Sequence, residues 1–412
     1  MKNLQTKTDV IINYIFIVYT FILLLKSIKY SMIGLYTKNS WGVTEFLVNY
    51  QDGFVRRGLI GEILYKIYEI SSISPIPIII GISICSYIFV VIVFIKYFKT
   101  NNYYWWFLPL PIFLGNGVII RKDYLIISLL IIILFIFKSK IKYNLKIIFI
   151  TIISIFTLNI HEASFFIFMP MMLLIIINNN EGNRYIKIMS CLFILSSLIV
   201  ISYFKGSEDT AIKIHNTWKE ILPHYIGEYD SFNTIGSIGW KTLDAIKFHI
   251  KVNFLSKSVF TYGLFIRPIT ISIIYFFTLN YIILFNKNAS KIETSNYRIF
   301  SLILLFQLAS LSPMFLFLSC DYIRLVLYWL ASSFLYFQFV KKETFIAIMP
   351  KVLIKFSDNI SNFCKSNNKH IMYLCLLFIT ITPSGFNIES ALSRNVFFTI
   401  LSAISSLIDK LI

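Results

Sequence analysis

Apolar residues recur along this chain in blocks close to twenty residues long, separated by short stretches rich in Lys, Asn and Arg. A hydrocarbon layer about 30 Å thick is spanned by roughly 20 residues rising 1.5 Å each. Backbone polar groups in lipid must bond internally, so only helices or closed barrels cross. Barrel strands would read as short alternating segments instead. The blocks therefore predict an all-α, polytopic transmembrane helical bundle. Candidate spans are 9–28, 76–95, 103–120, 124–137, 147–160, 163–177, 185–204, 268–285, 299–318, 322–340 and 370–383, with a weaker one at 395–409. That makes about 11–12 spans, read as one integral membrane domain over 1–412 containing one large external loop at 205–267. Pro109, Pro111, Pro170 and Pro313 lie inside apolar runs, where kinks are expected.

The chain carries a formal net charge of +18, which in a soluble protein would point to nucleic acid. Here the cations sit in short loops between spans, where they set orientation instead. With Lys2 and Lys7 cytoplasmic, alternate loops on that side hold Lys96, Lys99, Lys138, Lys140, Lys142, Lys146, Arg184, Lys187, Lys287, Lys291, Arg298, Lys341, Lys342, Lys351, Lys355, Lys365 and Lys369. The opposite short loops hold far fewer. The expected topology has a cytoplasmic N-terminus, and the first span reads as uncleaved because no small-x-small site follows it. The five Cys are scattered without metal-ligand or disulfide spacing, so no metal and no disulfide framework is expected. GxxxxGK[ST], HExxH, GxSxG and dinucleotide fingerprints are missing from the sequence. No cofactor is expected.

The same topology puts nearly every membrane-proximal acid, His and Arg on the outer face. "NYQDGFVRRGLIGE" (Asn49 to Glu62) carries Asp52, Arg56, Arg57 and three Gly. Adjacent Arg on that side runs against the topogenic bias. Arg forms planar two-point contacts with phosphate, and Gly lets backbone approach a ligand. The pair reads as a diphosphate clamp with Asp52 as its neighbouring carboxylate. His161–Glu162 interrupts the apolar stretch 147–177 and is either a helical hairpin turning in water or an acid/base pair. Asp321 and Arg324, three apart, share a helix face. They pair with each other or reach across the bundle toward Arg56. Arg121–Lys122–Asp123 reads as a tight external turn. Within 205–267, Ile214, Trp218 and Ile221 fall on one helical face, and Leu243, Ile246 and Ile250 on another. Two amphipathic helices, lying on the membrane or capping a cavity, are expected. Trp218, Tyr225, Tyr229 and Trp240 could stack on sugar rings, with interfacial anchoring the commoner role.

A first span, an outer loop bearing an acid in "YQDGF", many further spans and externally gathered charge together resemble the GT-C-type membrane glycosyltransferases. Length, span count and one enlarged external loop are also similar to bacterial O-antigen polymerases. The resemblance implies that Asp52 acts as catalytic base, with Glu162 and His161 also in the catalytic set. It implies that Arg56, Arg57, Asp321 and Arg324 bind substrate. The implied substrate is an undecaprenyl-diphosphate-linked oligosaccharide, in contact with membrane lipid of the bacterial inner membrane and with a chain-length regulator as a further partner. The early loop has no paired-acid motif, Glu45 being the nearest other acid, so Asp52 would act alone. A transporter or flippase of lipid-linked oligosaccharide is the rival reading; it would call for charges at mid-membrane along a pathway.

Overall fold

The computed structural model describes residues 25, 28–29, 31–97, 119–204, 206–251, 294–319 and 322–366. Among them the chain is all-helical, with an isolated Gln51–Gly53 bridge in place of any named strand. The helices are α1 (Leu59–Ser71), α2 (Pro75–Tyr97), α3 (Lys122–Lys138), α4 (Tyr143–Ile160), α5 (Ser164–Asn178) and α6 (Arg184–Tyr203). They continue as α7 (Glu208–Ile221), α8 (Thr242–Ile250), α9 (Thr294–Pro313), α10 (Tyr322–Phe339), α11 (Lys342–Ile348) and α12 (Lys351–Ser366). Four helical stretches, Pro75–Phe94, Tyr143–Ile160, Arg184–Tyr203 and Ile299–Leu318, are long and apolar enough to cross a membrane. The expected spans at 268–285, 370–383 and 395–409, and nearly all of 9–28 and 103–120, lie outside the described residues, as does Asp321.

These helices begin and end where local chemistry dictates. α1 stops at Ser72, which takes a left-handed backbone (φ 55°), and Pro75 opens α2, where its missing N–H is no loss. Asn183 accepts a hydrogen bond from the amide of Tyr185 at 2.8 Å and so caps α6. Ser207 accepts one from the amide of Thr210 at 3.2 Å and caps α7, followed by Glu208 and Asp209 in the positive first turn. The α-helical part of α9 ends at Pro313 and passes into a π-helical turn, Met314–Leu318.

α3 packs against α2, α4 and α10, while α9 packs against α10, α5 and α12, so α3, α9 and α10 form the middle of the bundle. Pro170 inside α5 cannot donate to the carbonyl of Phe166, four residues back. Ser310 of α9 supplies that donor at 2.8 Å, an interhelical bond of the kind that tolerates Pro in a span. Thr151 and Ser190 join α4 to α6 at 2.5 Å, and Trp329 of α10 donates to the carbonyl of Leu304 at 2.8 Å. Outward faces stay apolar: Ile84, Ile88 and Ile92, four apart on α2, are each exposed, as are Ile148, Phe149, Ile152 and Phe156 on α4. An apolar exterior of this extent needs a cover, and helices apolar all round belong in lipid.

The two ends of the bundle differ. At one end Lys146 donates to the carbonyl of Phe137 at 3.0 Å, Lys187 to that of Asn179, and Lys138 lies 5.5 Å above the Phe339 ring. Cations thus satisfy the carbonyls at the close of α3 and just beyond α5. At the other end the charges are mixed.

Candidate functional site

The mixed end is built around residues 43–49, the close of a short helical turn (Trp41–Thr44) and the irregular stretch after it, buried throughout. Buried irregular backbone needs donors and acceptors. Trp218 donates its indole N–H to the carbonyl of Leu47, and Glu62 accepts from the amide of Tyr50 at 3.0 Å and from the Gln51 side chain. Gly61 packs so closely on this segment that a Cβ would lie 1.9 Å from the carbonyl oxygen of Val48; one on Gly58 would lie 2.1 Å from the Tyr50 ring. Gly58 and Gly61 therefore admit the chain's own groups and not a ligand, whereas a Cβ on Gly53 would meet open space. Trp218 is likewise a core residue, fully buried with Ile214 as α7 docks on Leu47, and is no interfacial anchor.

Around this stretch four helix ends bring charge together. Arg57, whose backbone is left-handed (φ 65°), presents its planar fork to Glu162, with Nε 2.8 Å from Oε2 and 3.0 Å from Oε1 and Nη2 also on Oε1. A non-Gly residue in that region costs about 1–2 kcal/mol, so the surroundings must hold it. They do so from both sides: Glu162 takes the side chain, and Lys122 donates its ammonium to the Arg57 carbonyl at 3.1 Å. Lys122 also reaches the carbonyl of Ile160 at 3.2 Å, at the negative end of α4. It is fully buried, and Asp123 beside it nearly so. Lys122 and Asp123 are therefore centre, where an external turn was expected.

Asp123 is gripped by Arg324 from α10, with Nε 3.0 Å from both carboxylate oxygens and Nη2 2.7 Å from Oδ1, and it also accepts from the Tyr328 hydroxyl. An Arg at a helix start opposes the dipole, and this two-point carboxylate offsets that cost. The same Nη2 lies 3.1 Å from Glu45 Oε1. Arg324 thus reaches across to α3 and to Glu45, while a pairing with Asp321 lies outside the described residues.

His161 closes the ring of contacts. Its Nδ1 accepts from the Ala163 amide at 3.2 Å, which leaves the proton on Nε2, 3.6 Å from Glu45 Oε1. His161–Glu162 is a turn, with the amide of Ser164 donating to the carbonyl of His161 at 3.1 Å, but the imidazole is buried and does not face water. Burial first, then the Arg57 charge, push the His161 pKa down to about 3, so the ring is neutral at pH 7. Burial alone would raise Glu162 and Glu45. Arg57 in the first case and Arg324 in the second override it and hold both carboxyls well below the usual range.

Asp52 stands apart from this network. It forms an exposed ion pair with Lys213 of α7 at 2.7 Å, and that hydrogen bond lowers its pKa. The structure thus joins Arg56, Arg57, His161, Glu162 and Arg324, seats Asp52 on the adjoining surface, and adds Glu45, Lys122, Asp123 and Tyr328. Glu45 had a signal in the sequence, an acid set within the apolar run Val43 to Val48. Tyr328, in an aromatic-rich helix, had none. Among the described residues no group of three or more His, Cys, Asp or Glu side chains is disposed to hold a metal ion.

Protein-family models, curated proteins and solved structures yield no match to the chain.

Proposed function

We propose that the chain is a multi-pass inner-membrane glycosyltransferase of surface-polysaccharide assembly, a polymerase of O-antigen or capsule type. In this reading it extends undecaprenyl-diphosphate-linked sugar units on the outer face. The observation that carries the reading is the sorting of charge by bundle end: lysines capping carbonyls at one end, a buried, cation-rich network of Arg56, Arg57, Lys122 and Arg324 at the other. A lipid-linked diphosphate sugar brings its own activation, so the chain needs no nucleotide site. What it must supply is stabilisation of charge developing on the departing diphosphate and a base for the acceptor hydroxyl. Fixed cations in a water-poor junction serve the first role. For the second, Glu45, Asp123 and Glu162 are committed to Arg partners, whereas Asp52 is paired with the exposed Lys213 and stays reachable from water. Asp52 is also four residues from Arg56, within about 14 Å along the chain.

A transport reading would be favoured by charge midway along the helices. In α2 to α6, by contrast, the charged residues lie within the first or last turns.

The test is Asp52→Asn, which keeps shape and removes basicity. The variant should insert and fold but lose chain extension by about 10²–10⁴-fold, leaving acceptors with at most one repeat unit. A flippase defect would remove even that single unit. Long chains at wild-type level from Asp52→Asn would refute the catalytic role.

A further inference from the structure

The cations of the junction are not equivalent. Arg57 gives its fork to Glu162, Lys122 gives its ammonium to two backbone carbonyls, and Arg324 divides its fork between Asp123 and Glu45. Arg56 is held differently. Its Nη2 donates to the carbonyl of Ser237 at 2.8 Å, in the loop after α7. Its Nη1 stays 3.9 Å from Glu162 Oε1, too far for a hydrogen bond, and its Nε is buried without a partner among the described residues. Glu162 does not remedy this: its carboxylate is turned to the Arg57 fork and stays 3.9 Å from the nearer Arg56 nitrogen. Among the described residues, no carboxylate oxygen lies within hydrogen-bond distance of Arg56. A buried guanidinium N–H without an acceptor is costly to leave unmade, and Arg suits an anion offering two oxygens.

We infer that, of the adjacent pair, Arg56 alone is a ligand residue, taking one phosphoryl group of a diphosphate, while Arg57 is a positioning residue that locks Glu162. The choice of a phosphoryl anion rests on the proposed function. The anion is carried either on a polyprenyl lipid or free in solution.

The experiment uses the full chain in phosphatidylcholine nanodiscs, titrated calorimetrically with inorganic pyrophosphate and, separately, with undecaprenyl diphosphate. Wild type should bind, and Arg56→Gln should weaken binding by about tenfold or more. Arg57→Lys keeps charge but loses the fork. It should lower thermal stability while leaving pyrophosphate affinity within a factor of about three. Tighter binding of undecaprenyl diphosphate than of pyrophosphate supports a lipid-borne ligand, and equal binding supports a free one. Arg56 is reachable enough for phenylglyoxal, so a second readout needs no variant: pyrophosphate should protect Arg56 from modification, scored by peptide mass spectrometry. No binding by wild type, wild-type affinity in Arg56→Gln, equal losses in the Arg56 and Arg57 variants, or modification undiminished by pyrophosphate would each overturn the inference. Binding without sugar transfer would remove the glycosyltransferase reading and leave this site standing. Transfer that survives Arg56→Gln would do the reverse.

Discussion

Acid should weaken this fold through His161 before it reaches the carboxylates. The folded imidazole has its Nδ1 committed to the Ala163 amide and lies beside Arg57, with a pKa of about 3. The unfolded ring takes up a proton near pH 6.5. A group whose folded pKa is depressed contributes stability that is present above its unfolded value and lost as pH falls toward the folded one. The window here runs from about pH 6.5 down to about pH 3. Between pH 7.5 and pH 5 the unfolded chain gains this proton and the native chain does not. By linkage that costs about 2 kcal/mol, roughly a thirtyfold change in the folded-to-unfolded ratio. Glu45 and Glu162 act in the same direction, but their unfolded values near 4.3 confine their effect to lower pH.

The assay is unfolding in detergent at pH 7.5 and pH 5, comparing wild type with His161→Asn, whose side-chain oxygen can replace Nδ1 as acceptor for Ala163. Wild type should lose about 2 kcal/mol over that interval, and His161→Asn should lose markedly less. Burial shifts His249 the same way, so His249→Asn measures its share separately. Equal stability of wild type at both pH values, or an undiminished drop in His161→Asn, would refute the assignment.

Lys122→Met keeps most of the side-chain volume and leaves the carbonyls of Arg57 and Ile160 without their donor. At about 1–3 kcal/mol for each, less the relief of burying no ammonium, a net loss near 3 kcal/mol is expected in detergent unfolding. Stability within about 0.5 kcal/mol of wild type would show the bonds to be dispensable. Gly61→Ala drives a Cβ to 1.9 Å from a backbone oxygen that has no flexible end to move, so it should cost about 1–3 kcal/mol or prevent accumulation. An alanine variant as stable as wild type would contradict the packing of Val48 on α1. Reporter fusions after Lys140 and after Lys342 should read cytoplasmic, and one near Trp218 periplasmic. A cytoplasmic signal near Trp218 would sink the orientation and, with it, the placing of the charged junction on the outer face.

The helices were legible because hydrocarbon is a uniform solvent. A block of apolar residues of sufficient length becomes a helix whatever lies beside it, and α2, α4, α5, α6 and α10 fall within a few residues of the expected spans. α1 was not legible. It is a short helix whose place depends on two glycines meeting Val48 and Tyr50, contacts set by the folded chain and not by periodicity. The low amphipathicity of the spans also hides which helices are neighbours. Nothing in "IIRKDYLII" announces that α10 will lie alongside and deliver Arg324 to Asp123.

Counting crossings from one end predicts which loops share a side, and the charges of "VRRG", "HEAS" and "YIRL" do meet. Counting crossings cannot say which carboxylate each cation takes, because partners are chosen by helix adjacency and by the cost of burial. Asp52 is the acid nearest Arg56 in sequence, yet it sits where water can solvate it and pairs with Lys213. Glu45 and Asp123 lie deeper, where an unpaired charge would be untenable, and Arg324 is drawn to both, while the half-buried Glu162 takes Arg57. The physical rule is that burial, more than sequence proximity, assigns ion pairs. By the same rule, a cation left with an unspent donor at such a junction, as Arg56 is, marks where an anion from outside the chain completes the network.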